Sequence, residues 1–218
     1  CRLEYEAVAS FLLDRAIALD PEFGKHIDGG PGRSGFIQYL MKDTLTFTNA
    51  EPAGPWQAFL MNQVVRAIHD NALETFVDVV RRESWLLGKP QVRFQVGLIE
   101  RATLRDRGAF ISTLMELNPA LMRRRPPPES QAIEFAITYV KPHLIPLLTR
   151  IWPMPDDLPH AAGMGDIARV KRWFDESGQV ALGDLSHHFP ANSAYTRANL
   201  EWGAPSVQQV LDTALAWA

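Results

Sequence analysis

The strongest constraint on the fold is an internal repeat with a period of 35 residues. Segments 59–87 and 94–122 align without a gap, and apolar side chains recur at equal offsets. The matched pairs are Phe59 with Phe94, Val64 with Ile99, Ala67 with Ala102, Phe76 with Ile111, and Val79 with Leu114. Similarity at a fixed period is typical of repeat proteins. The chain is therefore predicted to form an array of similar units, and a compact helical bundle is the alternative.

Each repeat is predicted to be a pair of helices. Apolar residues lie three and four positions apart, which indicates helices with one buried face. Asp70-Asn71 and Arg105-Asp106 interrupt the two segments, and such residues favour turns and caps over helix interiors. The period-two run 44–48 has no obvious partner strand and is interpreted as an extended loop. These patterns predict an all-α protein.

The array is predicted to be one domain over residues 1–218, cut at both ends because its outermost helical stripes stop without caps. Several connections are longer than helix pairs usually require: a glycine-rich loop at 24–35, a proline-containing stretch at 49–55 and an insertion at 178–206. The predicted units are approximately 1–23, 56–88, 91–122, 130–152, 156–177 and 206–218.

One segment carries a recognisable small-residue step. Residues 158–174 read LPHAAGMGDIARVKRWF, which resembles the ankyrin repeat. The positions that match are Ala161, Ala162, Gly165, Asp166, Val170, Trp173 and Phe174. Small residues let two helices approach closely, and glycine turns the chain sharply between them.

The resemblance departs from the family pattern at several positions. Pro159 stands where the family has a turn-bracing histidine, and Asn71 and Asp106 replace the turn glycine in the two preceding units. The chain is therefore identified as a degenerate ankyrin-like array. The resemblance implies an α-solenoid of stacked helix-turn-helix repeats with long inter-repeat loops.

The resemblance also implies a function, which is protein binding through loop tips and inner helices by a non-enzymatic scaffold. The partner is expected to be another protein. The candidate partner-binding residues are Arg101, Arg105, Arg107, His188, Tyr195 and Trp202. Two alternatives stay open: nucleic-acid or acidic-partner binding through a basic strip at 93–125, and a regulatory or targeting segment of a larger enzyme.

The basic strip stands out because the chain as a whole has a net charge of −3. Residues 89–125 carry 8 Lys+Arg and 3 Asp+Glu, a net charge of +5, and the segments on either side carry −4 each. Arg101 and Arg105 lie four apart and are predicted to share a helical face. Pairing of these arginines with neighbouring acids is favoured over nucleic-acid binding.

The sequence gives no pattern for catalysis or cofactor binding. It contains neither a glycine-rich phosphate loop nor a G-x-S-x-G elbow. His187-His188 has no further ligand at metal-site spacing, and Asp156-Asp157 is predicted to cap a helix. We therefore predict no catalytic residue, cofactor, metal or small-molecule substrate. The single cysteine and the lack of an apolar run of about 18 residues favour a cytoplasmic protein without a membrane partner.

Overall fold

The computed structural model describes residues 2–28, 55–188 and 205–218. In these ranges the regular secondary structure is helical, with one isolated antiparallel bridge that joins Phe174 to Val180. The prediction of an all-α protein is confirmed for the described part of the chain. The run 44–48 lies outside it.

The chain divides into two compact units, residues 1–86 and residues 87–218. In the described part of the first unit, each helix packs on the next one along the chain. These helices are α1 (Arg2–Leu19), α2 (Pro21–Asp28), α3 (Pro55–His69) and α4 (Leu73–Arg82), followed by a 3-10 helix (Ser84–Leu87) at the unit boundary.

Helix α2 corrects the prediction of a loop at 24–35, because residues 24–28 are helical. Phe23 and Ile27 lie four positions apart and are fully buried, so one face of this short helix faces the core. Gly24 lies on the side that packs on α1. A β-carbon at Gly24 would lie 2.8 Å from the side chain of Ile17.

The second unit begins with short helices around the boundary and continues as helix pairs. Its helices are a 3-10 helix (Lys89–Gln91), α5 (Val92–Leu104), α6 (Gly108–Leu117), α7 (Pro119–Arg123), α8 (Ala132–Thr138), a 3-10 helix (Pro142–Leu144), α9 (Ile145–Leu148), α10 (Leu158–Gly163), α11 (Ile167–Lys171), a 3-10 helix (Leu185–His188) and α12 (Val207–Trp217). The predicted unit at 206–218 corresponds to α12, whose capping box is formed by Ser206 and Gln209.

Four hairpins in the described ranges share one turn, in which the residue after the first helix's C-cap has a left-handed backbone. These residues are Asn71 (φ 56°), Asp106 (φ 58°), Val140 (φ 55°) and Gly165 (φ 64°). The N–H of the next residue donates to the carbonyl of a buried alanine: Ala72 to Ala67 (2.8 Å), Arg107 to Ala102 (2.7 Å), Lys141 to Ala136 (2.7 Å) and Asp166 to Ala161 (3.0 Å). This pairing is the Schellman motif that ends many helices.

The 35-residue period of the sequence has a structural counterpart. All ten side chains of the five matched pairs are buried. The second helices end alike, since Glu83 (φ −106°, ψ 64°) and Asn118 (φ −132°, ψ 74°) have similar C-cap conformations. Leu86 and Leu121, which follow them at equal distance, are both buried.

The first helices of successive hairpins in the second unit lie next to one another. Helix α5 contacts α8, α8 contacts α10, and α10 contacts α12, while the second helices α6 and α9 also touch. A β-carbon at Gly163, at the end of α10, would lie 2.3 Å from Ile137 Cγ2 near the end of α8 and 3.3 Å from Trp217 Cβ near the end of α12. The C-terminal ends of these three helices therefore meet at one edge, so the helices run parallel.

Candidate partner-binding residues

Arg101, Arg105 and Arg107 lie around the turn between α5 and α6. Arg101 belongs to the last turn of α5, Arg105 is its C-cap, and Arg107 is the N-cap of α6. Burial lowers the pKa of Arg101, and repulsion from Arg105 lowers it further, while Glu100 opposes the shift. Arg101 and Arg105 lie four positions apart at the end of α5, one helical turn from each other. Both cations lie at a helix C-terminus, where the helix dipole favours positive charge.

Two acids near these arginines also bond to the next hairpin. Asp106 Oδ1 lies 2.7 Å from His143 Nε2 of the next hairpin. One oxygen of Glu100 accepts from the Ser130 hydroxyl (3.0 Å) and the Gln131 backbone N–H (2.8 Å) at the start of α8. Pairing of an arginine with an acid is observed within the basic strip at Arg93, 3.6 Å from Glu129.

His188, a sequence-predicted contact residue, is fully buried. Its Nδ1 accepts from the Leu158 backbone N–H (3.0 Å), so its Nε2 carries the proton and donates to the Leu182 carbonyl (2.9 Å). The His188 ring meets the Trp173 ring edge-to-face, with 4.6 Å between the ring centroids. His188 thus joins the segment after α11 to the start of α10, and its position gives it a packing role in place of the predicted partner contact.

Tyr195 and Trp202, the other two candidates in the insertion at 178–206, lie outside the described residues. The described part of that insertion packs on helices α10 and α12. Leu182 belongs to a cluster of buried apolar side chains with Leu158 and with Val210 and Ala214 of α12.

The residues that carry the ankyrin resemblance lie at structurally distinct positions. Ala161 is buried. Ala162 is half-buried and packs against the cluster that contains Leu158. Gly165 has the left-handed backbone of the turn, and Asp166 caps α11 by accepting from the Arg169 N–H (3.1 Å). The remaining three, Val170, Trp173 and Phe174, pack against the cluster around Leu158.

A buried carboxylate and imidazole pair lies at the start of α10. Asp157 is the N-cap of α10 and accepts from the His160 N–H (2.8 Å), so the predicted capping role is confirmed at this residue. Both Asp157 carboxylate oxygens lie 2.8 Å from His160 Nδ1. The His160 ring meets the Trp217 ring edge-to-face at 5.1 Å between centroids. Asp157 and His160 are almost fully buried, and the His160 ring links α10 to α12.

Asp156, the other predicted capping residue, has a different role from Asp157. It is exposed and accepts hydrogen bonds from Arg172 (2.7 Å) and Arg169 (3.3 Å), which lower its pKa. It joins the segment before α10 to helix α11.

Glu134 was not identified from the sequence. It lies in α8 and is 8% exposed, and burial raises its pKa to about 8, with further contributions from Asp157 and Glu100. The signal that could have found it is an acid inside the apolar run 132–137, which reads AIEFAI. A carboxyl group with this pKa is mostly protonated at neutral pH.

The described ranges contain neither a metal-site arrangement of side chains nor a helix suited to cross a membrane. No group of three or more His, Cys, Asp or Glu side chains there has the arrangement of a metal site. No helix of these ranges has the length and apolar character needed to cross a membrane.

A surface groove lies along the outer side of α4 in the first unit. Its lining consists of Leu73, Glu74, Val77, Asp78, Arg81 and Arg82. Arg82 Nη1 donates to Asp78 within this groove at 3.2 Å. The acids and arginines of the groove are exposed side chains of one helix, and they form no recognisable catalytic arrangement.

The chain was compared with protein-family models, with curated proteins and with solved structures, and no match was found in any of the three comparisons.

Proposed function

We propose that this chain is a non-enzymatic scaffold of ankyrin-like repeats whose function is to bind another protein. The observation that carries the proposal is the row of first helices α5, α8, α10 and α12, each in contact with the next, of which the last three run parallel. Helix pairs stacked in this manner expose one extended surface, because each unit is covered only by its neighbours.

The shared turn supports the ankyrin-like assignment. Gly165 occupies the turn position of the segment that resembles the family, and Asn71 and Asp106 adopt the same left-handed backbone. Asn and Asp tolerate this conformation better than other residues with side chains. These substitutions therefore preserve the turn geometry despite the loss of glycine.

The second candidate function is binding of nucleic acid or another acidic partner through the basic strip. The observation in its favour is the placement of Arg101 and Arg105 one helical turn apart at the end of α5. Binding that depends mainly on phosphate contacts falls steeply with salt. Protein binding through a surface that also contains apolar side chains depends less on salt.

The test is affinity capture with the immobilised full chain from a lysate of its own source, with and without nuclease, at low and moderate salt. We expect captured protein to survive nuclease and moderate salt. A triple variant, Arg101→Ala, Arg105→Ala and Arg107→Ala, is compared with Arg123→Ala, Arg124→Ala and Arg125→Ala, which removes the same charge from the same strip. Tyr195→Ser with Trp202→Ser tests the two candidates in the insertion.

Each outcome of the capture experiment decides between the functions. Loss of all captured material after nuclease treatment favours the nucleic-acid alternative. Capture that is the same for the full chain and for an Ala136→Pro variant with a broken α8 contradicts the scaffold proposal, because helix breaking by proline disrupts the row.

A further inference from the structure

Large apolar side chains are exposed at two successive hairpin tips of the second unit. Tyr139 (58% exposed) and Val140 (82%) belong to the turn after α8. Met164 (39%) belongs to the turn after α10, and Ile167 (63%) is the first residue of α11. Exposed apolar side chains that cluster mark interaction sites more often than scattered ones do.

The two tips lie side by side. The close approach of Gly163 to Ile137 brings the last turns of α10 and α8 into contact. Tyr139 follows Ile137 by two residues, and Met164 follows Gly163 directly. The tip between α5 and α6 is also adjacent, because His143, which follows the α8 tip, bonds to Asp106 in that turn. We call residues 105–108, 139–143 and 164–167 the hairpin-tip edge.

Val140 is the residue of this edge that internal packing explains least. The equivalent turn positions hold Asn71, Asp106 and Gly165, whereas Val140 is β-branched and has the same left-handed backbone. A β-branched residue in this conformation is an outlier that costs free energy. Since its side chain is largely exposed, packing within this chain does not compensate for that cost.

Tyr139 is held in place by a neighbour. Its ring meets the Phe135 ring edge-to-face at 6.1 Å between centroids. An aromatic side chain fixed in this manner loses little conformational entropy when a partner binds.

The uncompensated charge of the edge is positive. Asp106 is held by His143, and Asp166 caps α11. Arg105 and Lys141 form no ion pair with any acid that the structure describes. The complement of such a surface is a segment with both acidic and aliphatic side chains.

We propose that the hairpin-tip edge binds an acidic peptide segment whose aliphatic side chains pack on Tyr139, Val140, Met164 and Ile167. This inference rests on the proposed protein-binding function and names the chemistry of the partner. The carboxylates of the segment lie over Arg105 and Lys141. A nucleic acid fits less well, because three of the four exposed apolar side chains, Val140, Met164 and Ile167, are aliphatic and offer no stacking platform for bases.

The test is selection from a phage-displayed library of random dodecapeptides on the immobilised full chain. The most enriched peptide is then synthesised with a fluorescent label, and its binding is measured by anisotropy. Two variants alter the edge, Val140→Asn and Arg105→Glu. Their matched controls carry the same substitutions elsewhere in the unit, Val207→Asn and Arg123→Glu. Val140→Asn places at this turn the residue that Asn71 provides in another hairpin, so the variant is expected to fold.

We expect enriched peptides to combine Asp or Glu with Leu, Ile or Val. Val140→Asn and Arg105→Glu should each weaken binding about tenfold or more, while the controls stay within about twofold. Peptides without acidic residues, or equal binding by the edge variants and their controls, would overturn the inference. So would a selection without enrichment, or a labelled oligonucleotide that binds the edge more tightly than the selected peptide. The lysate capture experiment decides the proposed function separately.

Discussion

Gly163 and Ile137 approach so closely that a β-carbon on the glycine would lie 2.3 Å from Cγ2 of the isoleucine. Their contact joins the last turns of two first helices that are 26 residues apart in sequence. Glycine is unfavourable inside a helix by about 1 kcal/mol relative to alanine, so its presence in α10 needs a packing reason. The approach of Ile137 provides that reason.

Gly163→Ala should therefore destabilise the protein even though alanine favours helices. Overpacking of a tight contact costs about 1–3 kcal/mol, which exceeds the gain in helix propensity. Urea unfolding of Gly163→Ala, Ile137→Ala and the double variant measures the coupling. We expect the double variant to be more stable than the sum of the single effects implies, because the smaller side chain makes room for the new methyl group. Additive effects would contradict a direct contact.

Val140 and Asn71 offer a reciprocal exchange at equivalent turn positions. Val140→Asn should stabilise the protein by about 1 kcal/mol, because asparagine adopts the left-handed backbone more readily than a β-branched residue. Asn71→Val should destabilise it by about 1–2 kcal/mol for the same reason. Thermal unfolding of both variants provides the measurement. Changes of the same sign in both would show that the two turns do not share a conformational requirement.

Much of the helical structure could be predicted from the sequence, because it depends on local pattern. Apolar residues at equal offsets identify the buried face of each helix, and Asp157 before a helix indicates a cap. Asn71 and Asp106 also signal turns by residue type. These features follow from short-range preferences that the side chains carry wherever they occur.

Other features depend on contacts between distant segments and could not be predicted. Val140 does not signal a turn by residue type, yet it adopts the same backbone as Gly165. In the sequence, His188 has the features of an ordinary loop histidine. The fold brings backbone groups of Leu158 and Leu182 to its two ring nitrogens. The burial of Glu134 likewise depends on how neighbouring helices pack on α8.

His188 and His187 form a matched pair of neighbours with opposite environments. His188→Ala should cost about 2–4 kcal/mol, because it removes two buried hydrogen bonds and leaves a cavity beside Trp173. His187 is 77% exposed, so His187→Ala should change the unfolding free energy by about 0.5 kcal/mol or less. Urea titration at constant pH separates the two. Similar effects for both variants would contradict the packing role of His188.

Glu134 should make stability decrease as the pH rises. Its pKa is raised to about 8 in the folded protein, against an ordinary value of 4.5 for a glutamate. Below pH 4.5 the carboxyl group is protonated in both states. Between these values the unfolded chain loses the proton while the folded chain retains it, so the unfolding free energy falls until about pH 8.

Glu134→Gln removes this dependence while keeping the shape and polarity of the side chain. We expect the variant to be more stable than the wild type by roughly 1–4 kcal/mol at pH 8 and to match it within about 0.5 kcal/mol at pH 4. Glu176→Gln, at an exposed position of the same unit, should show no such dependence. Urea unfolding of the three proteins across this pH range provides the measurement. A constant difference between Glu134→Gln and the wild type at all pH values would contradict a raised pKa, since only a group that ionises differently in the two states makes the difference change with pH.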